Sequence, residues 1–289
     1  MAGNLPIGDN RPMGTVSALR RYPVKSMLGE NLAAVRVTER GLAGDRRFAV
    51  LDEAGAVGSA KHPRKWGPLL QCRSRLTESK RAQIELPDGS VHYSGEAELD
   101  KRLSELLSRR VSVSDQPPEQ SVLERAVPEY AGGVPDVVRD QAIVDETGDA
   151  ITTGSVASGT FFDFGMVHLI TTSSLNCLRA TYPAGDFDAR RFRPNLVVDT
   201  NTGPGFPEDA WVGETLRVGE AVFRVVVPTP RCVIPILAHD ELPADPGIMR
   251  TVAREHRIPV FNLGALSCVG VYMDVVQPGM IRVGDVVTR

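Results

Sequence analysis

With 289 residues, 42% of them hydrophobic and 24% charged, the chain has the make-up of an ordinary globular protein large enough for two cores. A formal net charge of -3 speaks against bulk binding to nucleic acid or to an anionic membrane. No apolar run approaches the roughly 18 residues a membrane helix needs, and four cysteines without a CxxC pair encode neither a zinc knuckle nor an iron–sulfur site.

Residues 1–13, polar and rich in Gly, Asn and Pro, read as a loose leader. A short strand at 16–22 runs into the turn signals Pro23 and Gly29, and an alternating stretch follows at 31–38. The glycine-punctuated loop 41–47 then precedes an apolar strand at 48–51. Short strands at this spacing predict a barrel or sandwich rather than βαβ repeats. The basic stretch Lys61-His62-Pro63-Arg64-Lys65-Trp66 reads as a solvated turn. Strands at 83–86 and 90–93 flank Pro87-Asp88-Gly89, a hairpin signal. Helical spacing of Leu99, Leu103, Leu106 and Leu107 predicts an amphipathic helix over 98–109 with those leucines in a core.

Between Pro117-Pro118 and Gly132-Gly133-Val134-Pro135 the chain is rich in proline and glycine, which places a domain boundary there: 14–130 and 131–289. Beyond it, an apolar strand at 167–170 carries His168, expected as a core histidine, and Thr171 to Ser174 cap a helix at 175–182. Hairpin strands span 211–227, a short helix covers 249–256, and strands at 269–273 and 280–287 flank Gln277-Pro278-Gly279. The expected fold class is mostly β with a few helices (α+β), a β-barrel-like N-terminal domain packed with a second β-barrel.

Chemistry gathers on loops. The β-branched run 222–227 ends at Pro228-Thr229-Pro230-Arg231-Cys232, where prolines put Cys232 on a stiff loop beside a permanent cation. A thiolate there can serve as nucleophile, sulfur carrier or soft metal ligand; a small buried apolar residue is the alternative. Basic clusters at Lys25-Ser26, Asp45-Arg46-Arg47 and Arg191-Phe192-Arg193-Pro194-Asn195 stand at other strand ends. They face either carboxylates of a salt-bridged surface or one large anion suited to arginine forks.

These residues resemble the MOSC-domain family, in the two-part layout of an N-terminal MOSC β-barrel domain followed by the MOSC domain proper, as in bacterial relatives of the mitochondrial amidoxime-reducing component. The resemblance rests on Tyr22-Pro23-Val24-Lys25-Ser26 with Gly29-Glu30, on Gly41 through Arg47, and on Val167 through Leu175. It continues with Arg191 through Asn195, Pro230-Arg231-Cys232, Gly270-Val271-Tyr272, and Gly279 through Asp285. It implies a molybdenum cofactor of the molybdopterin type, with Cys232 as metal ligand and catalytic residue, and gives no role to pyridoxal phosphate. Lys25, Ser26 and Arg46 would hold the phosphate region of the cofactor. Thr171, Thr172, Arg193 and Tyr272 would line the pocket, with Arg47, Arg191, Asn195 and Arg231 adjacent.

The implied function is a cytoplasmic oxidoreductase reducing a small N-hydroxy, amidoxime or N-oxide substrate. Its electrons would come from a separate ferredoxin-, flavodoxin- or cytochrome b5-like donor, since no carboxy-terminal cysteine cluster marks a fused one; no nucleic acid and no membrane take part. Asp163 is a candidate proton donor. The sequence departs from the family where Val233-Ile234-Pro235 replaces a Thr-Thr pair after the cysteine, and 237–247 keeps only a loose Asp-Pro-Gly turn. The alternatives are a sulfur-carrier or cofactor-handling protein using a Cys232 persulfide, or a member that has lost molybdenum.

Overall fold

The computed structural model describes residues 11–118, 122–127, 139–155 and 159–289. Most of the expected leader, the boundary at 130/131 and Gly132-Gly133-Val134-Pro135 lie outside the described residues.

The architecture is mostly β with a few helices, as expected. Its centre is a barrel formed in order by strands Val167–Thr171, Leu196–Asp199, Pro12–Arg21, Val286–Thr288, Thr215–Val218, Ala221–Pro230 and Ala265–Gln277. Pairing of Val167–Thr171 with Ala265–Gln277 closes the ring, which removes the open edges a flat sheet would leave. Alternation decides what fills it. Val167, Leu169, Leu196, Val198, Leu216, Phe223, Val271 and Met273 point inward and pack together. Their neighbours Ile170, Val197 and Val269 point outward, where Leu175, Leu178, Ile248 and Val252 cover them. Those four residues come from helices Thr172–Thr181 and Gly247–Glu255, so both faces of these strands are buried.

The N-terminal segment is woven into this barrel. Pro12–Arg21 pairs with Leu196–Asp199 on one side and Val286–Thr288 on the other, while Ala34–Thr38 pairs with Gly279–Arg282. Residues from 48 to 114 build a second core around Phe48, Trp66, Ile84, Leu99, Leu103 and Leu107. The predicted helix runs Ala97–Leu107, with Leu106 only partly buried. The hairpin forms between Ala82–Glu85 and Val91–Tyr93, and Thr171 caps its helix by accepting from Ser174 N–H.

Three expectations change. Trp211 belongs to a 3-10 turn, Pro207–Trp211, and the hairpin is Thr215–Val218 with Ala221–Pro230. The strand before Cys232 does not stop at Val227 but continues through Pro228 and Pro230, because irregularities in its pairing spare the missing N–H groups. The stretch Lys61 to Trp66 is not a solvated turn: Trp66 is fully buried, His62 is paired with Asp145 at 2.6 Å, and Lys65 with Glu124 at 3.0 Å. Among the described residues no helix is long and apolar enough to cross a membrane.

Candidate functional site

Cys232 follows the end of Ala221–Pro230 and lines an inner cavity of about 90 Å³ between the barrel and the second core. It is a free cysteine, half-buried, packed at the edge of a small apolar group of Ala60, Leu70 and Ile234. Ile234 thus has a packing role: it opens the 3-10 turn Ile234–Ile236 and docks it on the N-terminal core. Arg231 also faces the cavity, but its guanidinium donates to the Phe192 carbonyl at 2.7 Å and leaves a buried Nε–H without a partner.

The loops of the N-terminal segment arrive from the opposite side. Lys25 is buried; its Nζ donates to the Phe161 carbonyl at 2.7 Å and pairs with Asp163. Lys61 reaches the other oxygen of the same carboxylate at 2.6 Å. Burial alone would push the pKa of Asp163 up, yet the two ammoniums outweigh it and hold the carboxyl far below the usual range. Asp163 is therefore an ionised clamp, which removes it as a proton donor. Burial also pulls the Lys25 ammonium below its ordinary value, the attraction of Asp163 offsetting only part of the effect.

Arg46 and Arg193 approach from two separate loops and converge on one ring. Their guanidinium carbons lie 4.8 and 4.3 Å from the centroid of Tyr22. Arg46 pairs with Asp45, and Arg193 donates to the Met27 carbonyl at 2.7 Å. Burial pushes the Arg193 value down to about 10, which leaves it charged at neutral pH. Ser26, Arg46 and Arg193 all hold positive φ angles, 65, 44 and 54°. Each such non-glycine conformation costs about 1–3 kcal/mol and persists where surrounding structure enforces it, as at binding sites.

Asn195 ties the loops together. Its carbonyl oxygen accepts from His168 N–H at 3.1 Å and from Arg46 at 3.4 Å, and its amide donates to the Arg20 carbonyl at 3.3 Å. His168 is buried as expected but also borders the cavity. Burial drives its imidazole well below the ordinary value, and Nε2 lies 3.2 Å from the Val269 carbonyl, so the neutral ring donates there. That approach requires Gly270, at φ 78°, since a Cβ would strike the imidazole and the Leu169 carbonyl. Tyr272 lies tilted against His168, ring centroids 5.6 Å apart, and Gly165 lies so close to its ring that any side chain there would collide.

The structure thus brings Cys232, Lys25, Ser26, Arg46, Arg193, Asn195, Arg231 and Tyr272 to one cavity. Four expected residues lie elsewhere. Arg47 turns to solvent and pairs with Asp115 at 3.4 Å. Thr171 is buried against Glu208 at 2.7 Å, and Thr172 bonds Asp199 at 3.1 Å. Arg191 is fully buried and spends its donors on the carbonyls of Asp186, Pro235 and Pro243, pinning the loop that follows Cys232. Sequence reasoning missed Ser59, Lys61, Phe161, Phe162 and Phe192 in the cavity wall; the basic stretch around Lys61 was the one available signal.

Chemically the cavity gathers a surplus of cations beside a soft donor. Lys25, Lys61, Arg46, Arg193 and Arg231 outnumber Asp163 and Asp45, and Phe161, Phe162 and Phe192 add apolar surface to the wall. Residues 13–115 match the family of the MOSC N-terminal beta barrel domain, and residues 158–288 match that of the MOSC domain. No curated protein matches the chain. Solved structures of similar shape include the YuaD protein from Bacillus subtilis, 11% identical over 96% of this chain and 97% of that one, with a TM-score of 0.44. YiiM from Escherichia coli is 20% identical over 43% and 53% of the two chains (TM-score 0.30). YiiM from Geobacillus stearothermophilus is 18% identical over 51% and 69% (TM-score 0.31).

Proposed function

The chain belongs to the MOSC-domain family, and from that premise we propose that its inner cavity holds a molybdenum cofactor of the molybdopterin type. In this reading the protein is an oxidoreductase that reduces N-hydroxy, amidoxime or N-oxide compounds with electrons from a separate donor protein. One observation carries it: a free thiol converges with five cations in a cavity whose carboxylates are too few to neutralise them.

The donor set fits such a group. No three His, Cys, Asp or Glu side chains gather into a metal cluster among the described residues. A single thiolate is what the chain offers a soft metal, and the remaining ligands would come with the cofactor. Arg46 and Arg193, fixed in strained backbone, present N–H groups suited to a phosphate, with Lys25 and Ser26 beside them. The Nε–H of Arg231, next to Cys232 in the chain, is buried without a hydrogen-bond acceptor. When bound, such a cofactor supplies two-electron oxygen-transfer chemistry at a sulfur-ligated metal.

The chain's own residues supply the rest. Cys232 would hold the metal, the cations would offset the cofactor's negative charge, and the three phenylalanines would give the bound group an apolar wall. Reducing an N–O bond to N–H releases the oxygen as water and consumes two electrons and two protons. Asp163, ionised between two lysines, does not give those protons; the weakened Lys25 ammonium and the Tyr272 hydroxyl are the groups in the wall that can. Exposed Phe164 and Phe261, with ring centroids 6.1 Å apart and Phe164 adjoining Tyr272, offer an apolar rim for the substrate body.

The test is elemental analysis with pterin fluorescence on protein made in a host that synthesises the cofactor. About one molybdenum per chain is expected, lost in Cys232→Ala together with turnover of an aromatic amidoxime under a reduced viologen dye. Sulfane sulfur without metal would favour the sulfur-carrier alternative. A Cys232→Ala protein that keeps both metal and turnover overturns the reading.

A further inference from the structure

A second cavity, of about 350 Å³, shares Arg193 with the first and has Tyr22 in its wall. It opens between the end of Pro12–Arg21, the strand Arg73–Leu76 and the short helix Ala189–Phe192. Its lining is rich in guanidinium groups: Arg20, Arg73, Arg75, Arg190 and Arg193.

The carboxylates nearby are already engaged. Glu30 accepts from Arg21 at 2.9 Å and from Leu76 N–H at 3.0 Å. Asp240 uses one oxygen for both Arg73, at 2.8 Å, and Arg190, at 3.0 Å. Asp188 bonds Arg190 at 2.9 Å and stands 4.0 Å from Arg20. Among the described residues two side chains keep unmatched donors. Nε and Nη1 of Arg20 are buried without a hydrogen bond, Nη1 standing 4.0 Å from Asp188, and the exposed side chain of Arg75 makes neither a hydrogen bond nor an ion pair. Buried guanidinium N–H groups left unmet are costly, so an acceptor oxygen brought to Arg20 is favoured there.

The geometry points to a phosphate-binding site in this arginine cleft, independent of what the inner cavity holds, taking the phosphate group of a phosphorylated small molecule. Forks on separate strands and a helix require a ligand with acceptor oxygens facing several directions. A phosphate meets that need and a lone carboxylate does not. The cavity holds the phosphate together with a small organic group. A polynucleotide is a poor fit, because the chain is acidic overall and its arginines form one pocket rather than a stripe.

The experiment is calorimetric titration of the full chain with inorganic pyrophosphate. A site is expected in this cleft, weakened by added salt, with Arg20→Gln and Arg75→Gln each lowering its affinity about tenfold and Arg217→Gln, exposed and outside both cavities, leaving it unchanged. The Arg75 side chain makes no bond within the fold, so its variant reports on the site even if Arg20→Gln folds poorly. Absence of binding, or binding that Arg75→Gln spares, overturns the inference. So does binding that Arg46→Gln abolishes, which places the anion in the inner cavity instead.

Discussion

Two buried polar clusters share the strand Val167–Thr171 and differ in one respect. At its end, Thr171 and Ser174 donate to the two oxygens of Glu208, at 2.7 and 2.5 Å, deep in the protein. Each of those donors has its acceptor. Around His168, by contrast, Lys25, Lys61, Arg46, Arg193 and Arg231 crowd a cavity where carboxylates fall short, three residues hold strained backbone, and a thiol is free. A matched cluster gives specificity and rigidity to the fold, whereas one with surplus donors keeps capacity for a ligand. Both are buried, and both contain residues that the family resemblance assigned to cofactor binding. Only the accounting of partners separates them.

The comparison breaks or holds on stability. Glu208→Ala strips the acceptor from two buried hydroxyls and leaves a cavity, so a loss of about 3 kcal/mol is expected in urea denaturation. A loss under about 1 kcal/mol would show that the cluster is not scaffold. Lys61→Met should behave in the opposite manner. It removes one cation from a surplus while Lys25 keeps Asp163 paired, so stability should stay within about 0.5 kcal/mol of the wild type. Molybdenum content after expression should fall instead. A large stability loss with full metal content would place Lys61 in the fold rather than the site.

Much of this was readable in the sequence, for reasons that differ by residue. Leu99 and Leu103 recur at helical spacing, and 167–170 and 269–273 read as strands, so local pattern announced these core elements. The residues of the cavity carried short motifs at loop positions, and Cys232, Arg46 and Arg193 come together in one cavity wall. Thr171 and Arg191 belong to the same motifs yet serve the fold. Their partners, Glu208 and the carbonyls of Pro235 and Pro243, lie tens of residues away, and no local pattern encodes such pairing. Lys61 went unread for the same reason, since only folding sets it against Asp163.

The smallest effect concerns His256, beside Glu208 in the sheltered region of the fold. Its ring stacks on Phe206 with centroids 3.7 Å apart, Nδ1 faces the Cys268 carbonyl at 2.8 Å, and Nε2 faces Asp209 at 2.6 Å. Both partners are acceptors, so both ring nitrogens donate, which only the imidazolium can do. Burial works against that charge, but Asp209 and the carbonyl prevail and raise the value above the ordinary one. A raised histidine value means that the folded state holds the proton more tightly than the unfolded chain. The resulting stability is fully present below the unfolded value of about 6.5 and is lost as pH rises through the folded one. Asp209→Asn should therefore cost most in acid, and the gap from the wild type should narrow as pH climbs from about 6 to 8.5, read as urea midpoints at each pH. A gap that stays constant across that range would mean that His256 is neutral in the fold and that Asp209 acts by packing alone.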